Sequence, residues 1–226
     1  SCIGKGYTVE KAYDGEQGIN KAFELIPDII ICDLMMPKMD GYEVSQILKK
    51  DLRTNHIPII ILTAKATDDA RMKGLETGAD AYLTKPFQEE ELQVRIKKLI
   101  ELREVLQKRF TNENGYKEDL RTKDPFLHKL LRILEENFGD EQFSVNALAK
   151  RLNLSRMQTH RKIKAITNMS TTRFINHFRL EKALDEVRHS DHNISEIAYK
   201  YGFSNPNYFT KLFIEKYGES PSSMRR

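Results

Sequence analysis

The chain has 226 residues, 39% hydrophobic and 31% charged, with 37 Lys/Arg against 33 Asp/Glu for a net charge of +4. That length holds about two ordinary domains, and the composition is that of a globular protein, neither disordered nor fibrous. No stretch approaches the roughly 20 apolar residues of a membrane span, and two cysteines, Cys2 and Cys32, are too few for a disulfide framework or a metal cluster.

The opening SCIGKGYTVE has neither an initiator Met nor the basic head, apolar core and cleavage site of a secretory signal, as expected of a fragment or processed chain in reduced, cytoplasmic surroundings. Tyr7–Tyr13 is read as a strand, followed by a helix whose Ile19, Ala22, Phe23 and Ile26 share a face. Ile29–Asp33 is a continuous apolar run ending in a carboxylate, the pattern of a strand buried on both faces. Cys32, inside it, is read as a small buried hydrophobe. A helix around Val44, Ile47 and Leu48 comes next, and His56-Ile57-Pro58 leads into a strand, Ile59–Thr63. A helix through Leu75 ends at Gly78, Ala81–Thr84 is a short strand, and a last helix carries Leu92, Ile96, Leu99 and Leu106. This alternation predicts an α/β doubly wound parallel sheet with helices on both faces, over residues 1–106.

A linker is expected over 107–124, where TNENGYKEDLRTKD is polar and without period. Asp124-Pro125 then opens an all-α domain over 125–226, with Leu127, Leu130, Leu131, Leu134 and Phe138 as its first core stripe. An internal echo follows. Leu148–Ser155 (LAKRLNLS) matches Ile197–Ser204 (IAYKYGFS), each reading as a short helix, a tight turn at Asn153 or Gly202, and a Ser that caps the next helix. A long helix near Thr171–Arg188, with Leu180, Ala183, Leu184 and Val187 inward, separates the copies. His189 and His192 offer too few ligands for a structural metal site.

Open α/β sheets place ligands beyond the C-terminal ends of their strands. Asp33, Thr63 and Lys85 end three successive strands there, and a carboxylate, a hydroxyl and an ammonium can together accept, orient and neutralise a phosphoryl group. The bland alternative is that Asp33 caps a turn and Lys85 is solvated. The run DIIICDLMMPKMDGYEV, with IIILTAKA and AYLTKPF beyond it, resembles a response-regulator receiver domain of flavodoxin-like fold. The resemblance implies Asp33 as phosphoacceptor, Thr63 as hydroxyl donor and Lys85 as charge partner. It further implies Tyr82 as the aromatic switch, Met35 as a backbone-carbonyl ligand beside Asp33 for Mg²⁺, and a cis Lys85–Pro86 bond. In the family's strand order, 2-1-3-4-5, the first strand and its metal-binding acidic pair are missing from this sequence.

Charge is uneven. Residues 143–226 hold 15 Lys/Arg against 7 Asp/Glu, and the remainder 22 against 26, so the C-terminal part is suited to a polyanion. In the first helix after a turn, Thr159, Ile163 and Ile166 face inward, while Arg156, Met157, His160, Arg161 and Lys164 face out, the residue types that meet bases and phosphates. In its counterpart, Phe209, Leu212 and Phe213 are inward and Asn205, Asn207, Thr210 and Lys211 outward. A solvated basic helix is the plainer reading of either copy alone. LSRMQTHRKIKAIT, RLEKALDEV and ISEIAYKYGFSNPNYFTKLFIEKYGESPS resemble the AraC/XylS DNA-binding module. The resemblance implies two recognition helices entering major-groove segments roughly 34 Å apart. Together the two resemblances imply a two-component transcription regulator. Its partners would be a histidine kinase phosphodonor, double-stranded DNA and a second copy of the chain. Its parent would be a hybrid sensor kinase or a stand-alone regulator. The rival readings are an AraC-type DNA-binding fragment with a non-functional receiver, an aspartyl-phosphate hydrolase, and an interaction scaffold that never touches DNA.

Overall fold

The computed structural model describes residues 6–64, 78–109 and 124–225. The chain divides into two compact units, Ser1–Thr111 and Asn112–Arg226.

The first unit is built on three parallel strands, β1 (Ile30–Asp33), β2 (Ile59–Thr63) and β3 (Ala81–Thr84), in the order β1-β2-β3. Alternation along β2 divides the core. Ile59 and Ile61 face helices α1 (Gly15–Leu25) and α2 (Gly41–Lys50), meeting Ile19, Ala22, Val44 and Leu48. Ile60 faces α3 (Glu89–Arg109), meeting Leu83, Leu92 and Ile96. A strand apolar on both sides therefore needs helices on both sides, and has them. α3 continues to Arg109, three residues into the stretch 107–124 expected as linker. The expected helix through Leu75, the stretch 110–123 and the Leu106 side chain lie outside the described residues.

One expectation fails here. Tyr7–Tyr13 is not a strand: among the described residues no strand lies beside the outer edge of β1, so this segment has no ladder to join, and Tyr7, Val9 and Tyr13 are exposed. Ile47 lies on the outer side of α2, whose inner face is Val44, Ser45 and Leu48.

The second unit is all helical: α4 (Pro125–Glu135), α5 (Val145–Leu152), α6 (Arg156–Thr167), α7 (Thr171–His189), α8 (Ile194–Lys200) and α9 (Pro206–Tyr217). Asp124 caps α4 by accepting from the Phe126 N–H at 2.8 Å, with Pro125 in the first turn. Asn153 (φ 59°) and Gly202 (φ 78°) take the left-handed turns of the two repeats. Leu180, Ala183 and Val187 of α7 form one core with Ile197, Ala198, Phe203, Phe209 and Phe213. The second repeat departs from expectation at its cap. Asn205, not Ser204, caps α9, accepting from the N–H groups of Asn207 and Tyr208, because Pro206 occupies the first helical position directly after it.

A Cβ at Gly41 would stand 2.6 Å from the Asp33 carbonyl oxygen, a backbone atom that cannot step aside. Gly41→Ala is expected to destabilise the first unit by about 1–3 kcal/mol, read as a lower urea midpoint at unchanged slope.

Candidate functional site

In the sheet, Asp33 pairs with Leu62 and Thr63 with Thr84, so the three strands end in step. Two further bonds carry the pairing past the strand ends: Leu34 N–H to the Leu62 carbonyl at 2.8 Å and Lys85 N–H to the Thr63 carbonyl at 2.7 Å. Asp33, Thr63 and Lys85 are thereby brought to one edge. The Lys85 ammonium forms an ion pair with Asp33 Oδ2, which removes the reading of Lys85 as merely solvated. Asp33 Oδ1 accepts from the Met35 N–H at 3.2 Å, so Asp33 also stabilises its own turn. The carboxylate and the ammonium are partly open to solvent, and Thr63 is buried. Lys85–Pro86 is cis.

The loop over this edge is held from below. Asp40 and Glu43 make a reciprocal capping box at the start of α2, with bonds of 2.8 and 3.0 Å, and the Gly41 N–H returns to the Leu34 carbonyl at 3.0 Å. Tyr82, half-buried, packs on the α1/α2 side with its ring 6.4 Å from that of Tyr42. Cys32 is buried beside the site, and burial, then the charges of Asp33 and Asp40, push its thiol up to about 11, so it is an inert part of the core. A divalent cation at this edge would draw on the Asp33 carboxylate, with the Met35 carbonyl as the second ligand that the resemblance implies. Magnesium wants six oxygens in near-octahedral array. The described residues contain no group of three or more His, Cys, Asp or Glu able to hold a metal. By themselves they do not fit a complete magnesium site.

The second unit presents two short helix-turn-helix faces. Ser155 and Gln158 form a capping box at the start of α6, with bonds of 3.1 and 3.0 Å. Thr159 and Ile163 are fully buried, while Arg156, Met157 and Lys164 are exposed and His160 and Arg161 half-buried, all five along one face. On α9, Phe209 and Phe213 are buried; Asn207 and Lys211 are exposed and Thr210 half-buried. Asn205 is exposed, but its Oδ1 is committed to the cap.

Three features escape the sequence reading. Lys162 is fully buried, with its ammonium 4.6 Å from the centre of the Phe126 ring, joining α6 to α4. Its spacing from Thr159 puts it on the inner stripe, a signal that its charge masks. His177, which the sequence did not flag, is pushed down to about 4, first by burial and then by Lys216 and Arg173. Glu186 on α7 accepts from His192, Lys200 and Tyr201 at 2.7, 2.7 and 2.9 Å. Burial alone would push its carboxyl up, but these three donors outweigh it and hold the group at about 2.

Residues 2–97 match the response regulator receiver domain, and residues 148–226 match a helix-turn-helix domain. A histidine kinase of Formosa agariphila is 37% identical over 96% of this chain and 16% of its own length. The DNA-binding dual master transcriptional regulator RpaA of Synechocystis is 46% identical over 42% of this chain and 39% of its own. The chain thus spans less than half the length of either relative. The solved C-terminal domain of the two-component response regulator yesN from Fusobacterium nucleatum is 28% identical over 43% of this chain and 94% of that one, at a TM-score of 0.40. No described helix is long and apolar enough to cross a membrane.

The depressed Glu186 carboxyl stabilises the fold above its ordinary value of 4.5, and that share is lost as pH falls toward 2. Neutral, half-buried His177 has the same sign, its share fading from 6.5 toward 4. Thermal midpoints taken from pH 7 down to about 3 should therefore fall, and fall less steeply below about 4.5 in Glu186→Gln than in the wild type.

Proposed function

The chain joins a response regulator receiver domain to an AraC-type helix-turn-helix domain, the make-up of a two-component transcription regulator, and from that premise we propose that phosphoryl transfer to Asp33 controls sequence-specific DNA binding by the second unit. The observation that carries this is the ion pair of Lys85 with Asp33 at an edge where Thr63 also ends its strand. An Asp33 oxygen attacks phosphorus, the new O–P bond replaces the N–P bond of a phosphohistidine, and the departing imidazole keeps the electron pair. Lys85, freed from the carboxylate charge, neutralises the phosphoryl oxygens, and the Thr63 hydroxyl donates to one of them. Mg²⁺ binding would draw on donors beyond the described residues, so no step is assigned to it.

The chain in this reading is a regulator, not an enzyme, and acts in the cytoplasm, with 1–106 as receiver, 107–124 as linker and 125–226 as the DNA-reading domain. The boundary between compact units near residue 111 and the start of α4 at Pro125 support two domains joined by a linker, with α3 running three residues into the stretch assigned to it. A hybrid kinase parent is favoured over a stand-alone regulator by the histidine kinase relative, matched across nearly the whole chain. Phosphorylation would tighten a homodimer through α3, where Val94, Leu102 and Val105 are exposed apolar residues at helical spacing. Two copies then present their DNA-reading units at high local concentration.

On α6 and α9 the base-reading roles go to Arg156, Met157, His160, Arg161, Asn207, Thr210 and Lys211, with Asn205 restricted to its amide nitrogen. Arg161→Ala is expected to lose sequence preference, about 1–3 kcal/mol at one position. Lys164→Ala should weaken all duplexes alike and lower the salt slope by about one. Equal losses of selectivity in competition binding would reject that division of roles.

The reading is tested by intact mass after incubation with acetyl phosphate. One added phosphoryl group in the wild type, absent from Asp33→Asn, is expected. No addition would leave the chain a DNA-binding module without a switch, and steady hydrolysis of the donor would favour a phosphatase.

A further inference from the structure

The two helix-turn-helix repeats are joined by more than the length of α7. Arg179, midway along α7 and 6% exposed, uses its guanidinium on main-chain oxygens. Nε donates to the Phe138 carbonyl at 3.0 Å and Nη2 to the Asp140 carbonyl at 2.6 Å. Both carbonyls belong to the turn after α4, which supports the first repeat. The other side of the guanidinium lies against the turn of the second repeat, with Cζ 6.0 Å from the Phe203 ring centre. A Cβ at Gly202 would stand 3.0 Å from both Cζ and Nε of Arg179 and 2.4 Å from the Phe138 carbonyl oxygen.

The two turns also meet directly. The Phe138 ring stacks on Tyr201 at 5.6 Å and 23°. A Cβ at Gly139 would stand 2.9 Å from the Lys200 carbonyl oxygen. Backbone therefore approaches backbone where glycine alone leaves room. The exposed Lys182–Glu135 pair adds little to this.

Apolar packing is non-directional and lets each repeat hold its own helices. A planar fork with two fixed donors is directional, and lysine, a point charge on a flexible stem, cannot reproduce it. We propose that Arg179 is a positioning residue that sets the separation and tilt of α6 against α9, and so selects the spacing between the two DNA half-sites the protein reads. The second clause rests on the DNA-binding reading above; the first does not.

The test has two arms, both on the full chain. Spin labels go on Lys164→Cys and Lys211→Cys in a Cys2→Ser, Cys32→Ala background, and pulsed EPR reads the α6–α9 distance without DNA. The wild type should give one narrow distance. Arg179→Lys and Phe138→Leu, each checked for wild-type helical signal, should give a broadened or shifted one. In the second arm, selection from a random-sequence duplex pool should return a two-part motif at one spacing for the wild type. Arg179→Lys should return the same halves at several spacings, with about tenfold less preference for the original.

An unchanged narrow distance in the folded variants overturns the assignment. So does loss of helical signal in both, since a residue on which folding itself depends does not tune geometry. A pool that yields no motif for the wild type refutes the DNA-binding reading, and the distance arm still decides the role of Arg179.

Discussion

Parallel hydrogen bonding between β1, β2 and β3, carried one residue past the ends of β1 and β3, is the constraint on which the Asp33–Thr63–Lys85 edge depends. Because Asp33, Thr63 and Lys85 all follow from that register, none can shift along its strand without turning to the opposite face of the sheet. The apolar alternation of β2 locks the register in turn, since sliding it by one residue would exchange the faces buried under α1/α2 and α3. The chemistry at the edge is thus set by packing beneath it: Gly41 lets α2 close on the Asp33 carbonyl, and the Asp40–Glu43 box fixes where that helix begins.

The second unit solves a different problem, that of keeping one polar face outward on each of two packed helices. Left-handed turns at Asn153 and Gly202 set the angle within each repeat, and aromatic packing of Phe203, Phe209 and Phe213 leaves one face of α9 outward. Polar groups held between helices then do what apolar groups cannot. Lys162 ties α6 to α4, Glu186 ties α7 to α8, and Arg179 ties the turn after α4 to the turn of the second repeat. Arg179 and Glu186 each have several partners of fixed direction, which is the condition under which a charge held between helices specifies a geometry.

Much of this was legible in the residue order, because β2, β3, the helix spacing and both turn residues are local patterns. Ile59–Thr63 and Ala81–Thr84 appear as read, and Asp124-Pro125 opens a helix as its chemistry requires. What failed was long-range or masked by residue type. Tyr7–Tyr13 has strand composition, but a strand is made by its neighbour, and β1 offers none on that side among the described residues. Ser204 is a good cap by type, yet Pro206 hands the position to Asn205. Lys162, Arg179 and Glu186 look like surface charges in sequence, and only tertiary contacts reveal that the first two are interior and the third half-buried.

The central claim, that the state of Asp33 governs the DNA-reading unit, is tested most directly by titrating a selected duplex and following fluorescence anisotropy before and after acetyl phosphate treatment. The account predicts tighter binding after treatment in the wild type and no change in Asp33→Asn. Identical curves for phosphorylated and unphosphorylated wild-type protein would contradict it.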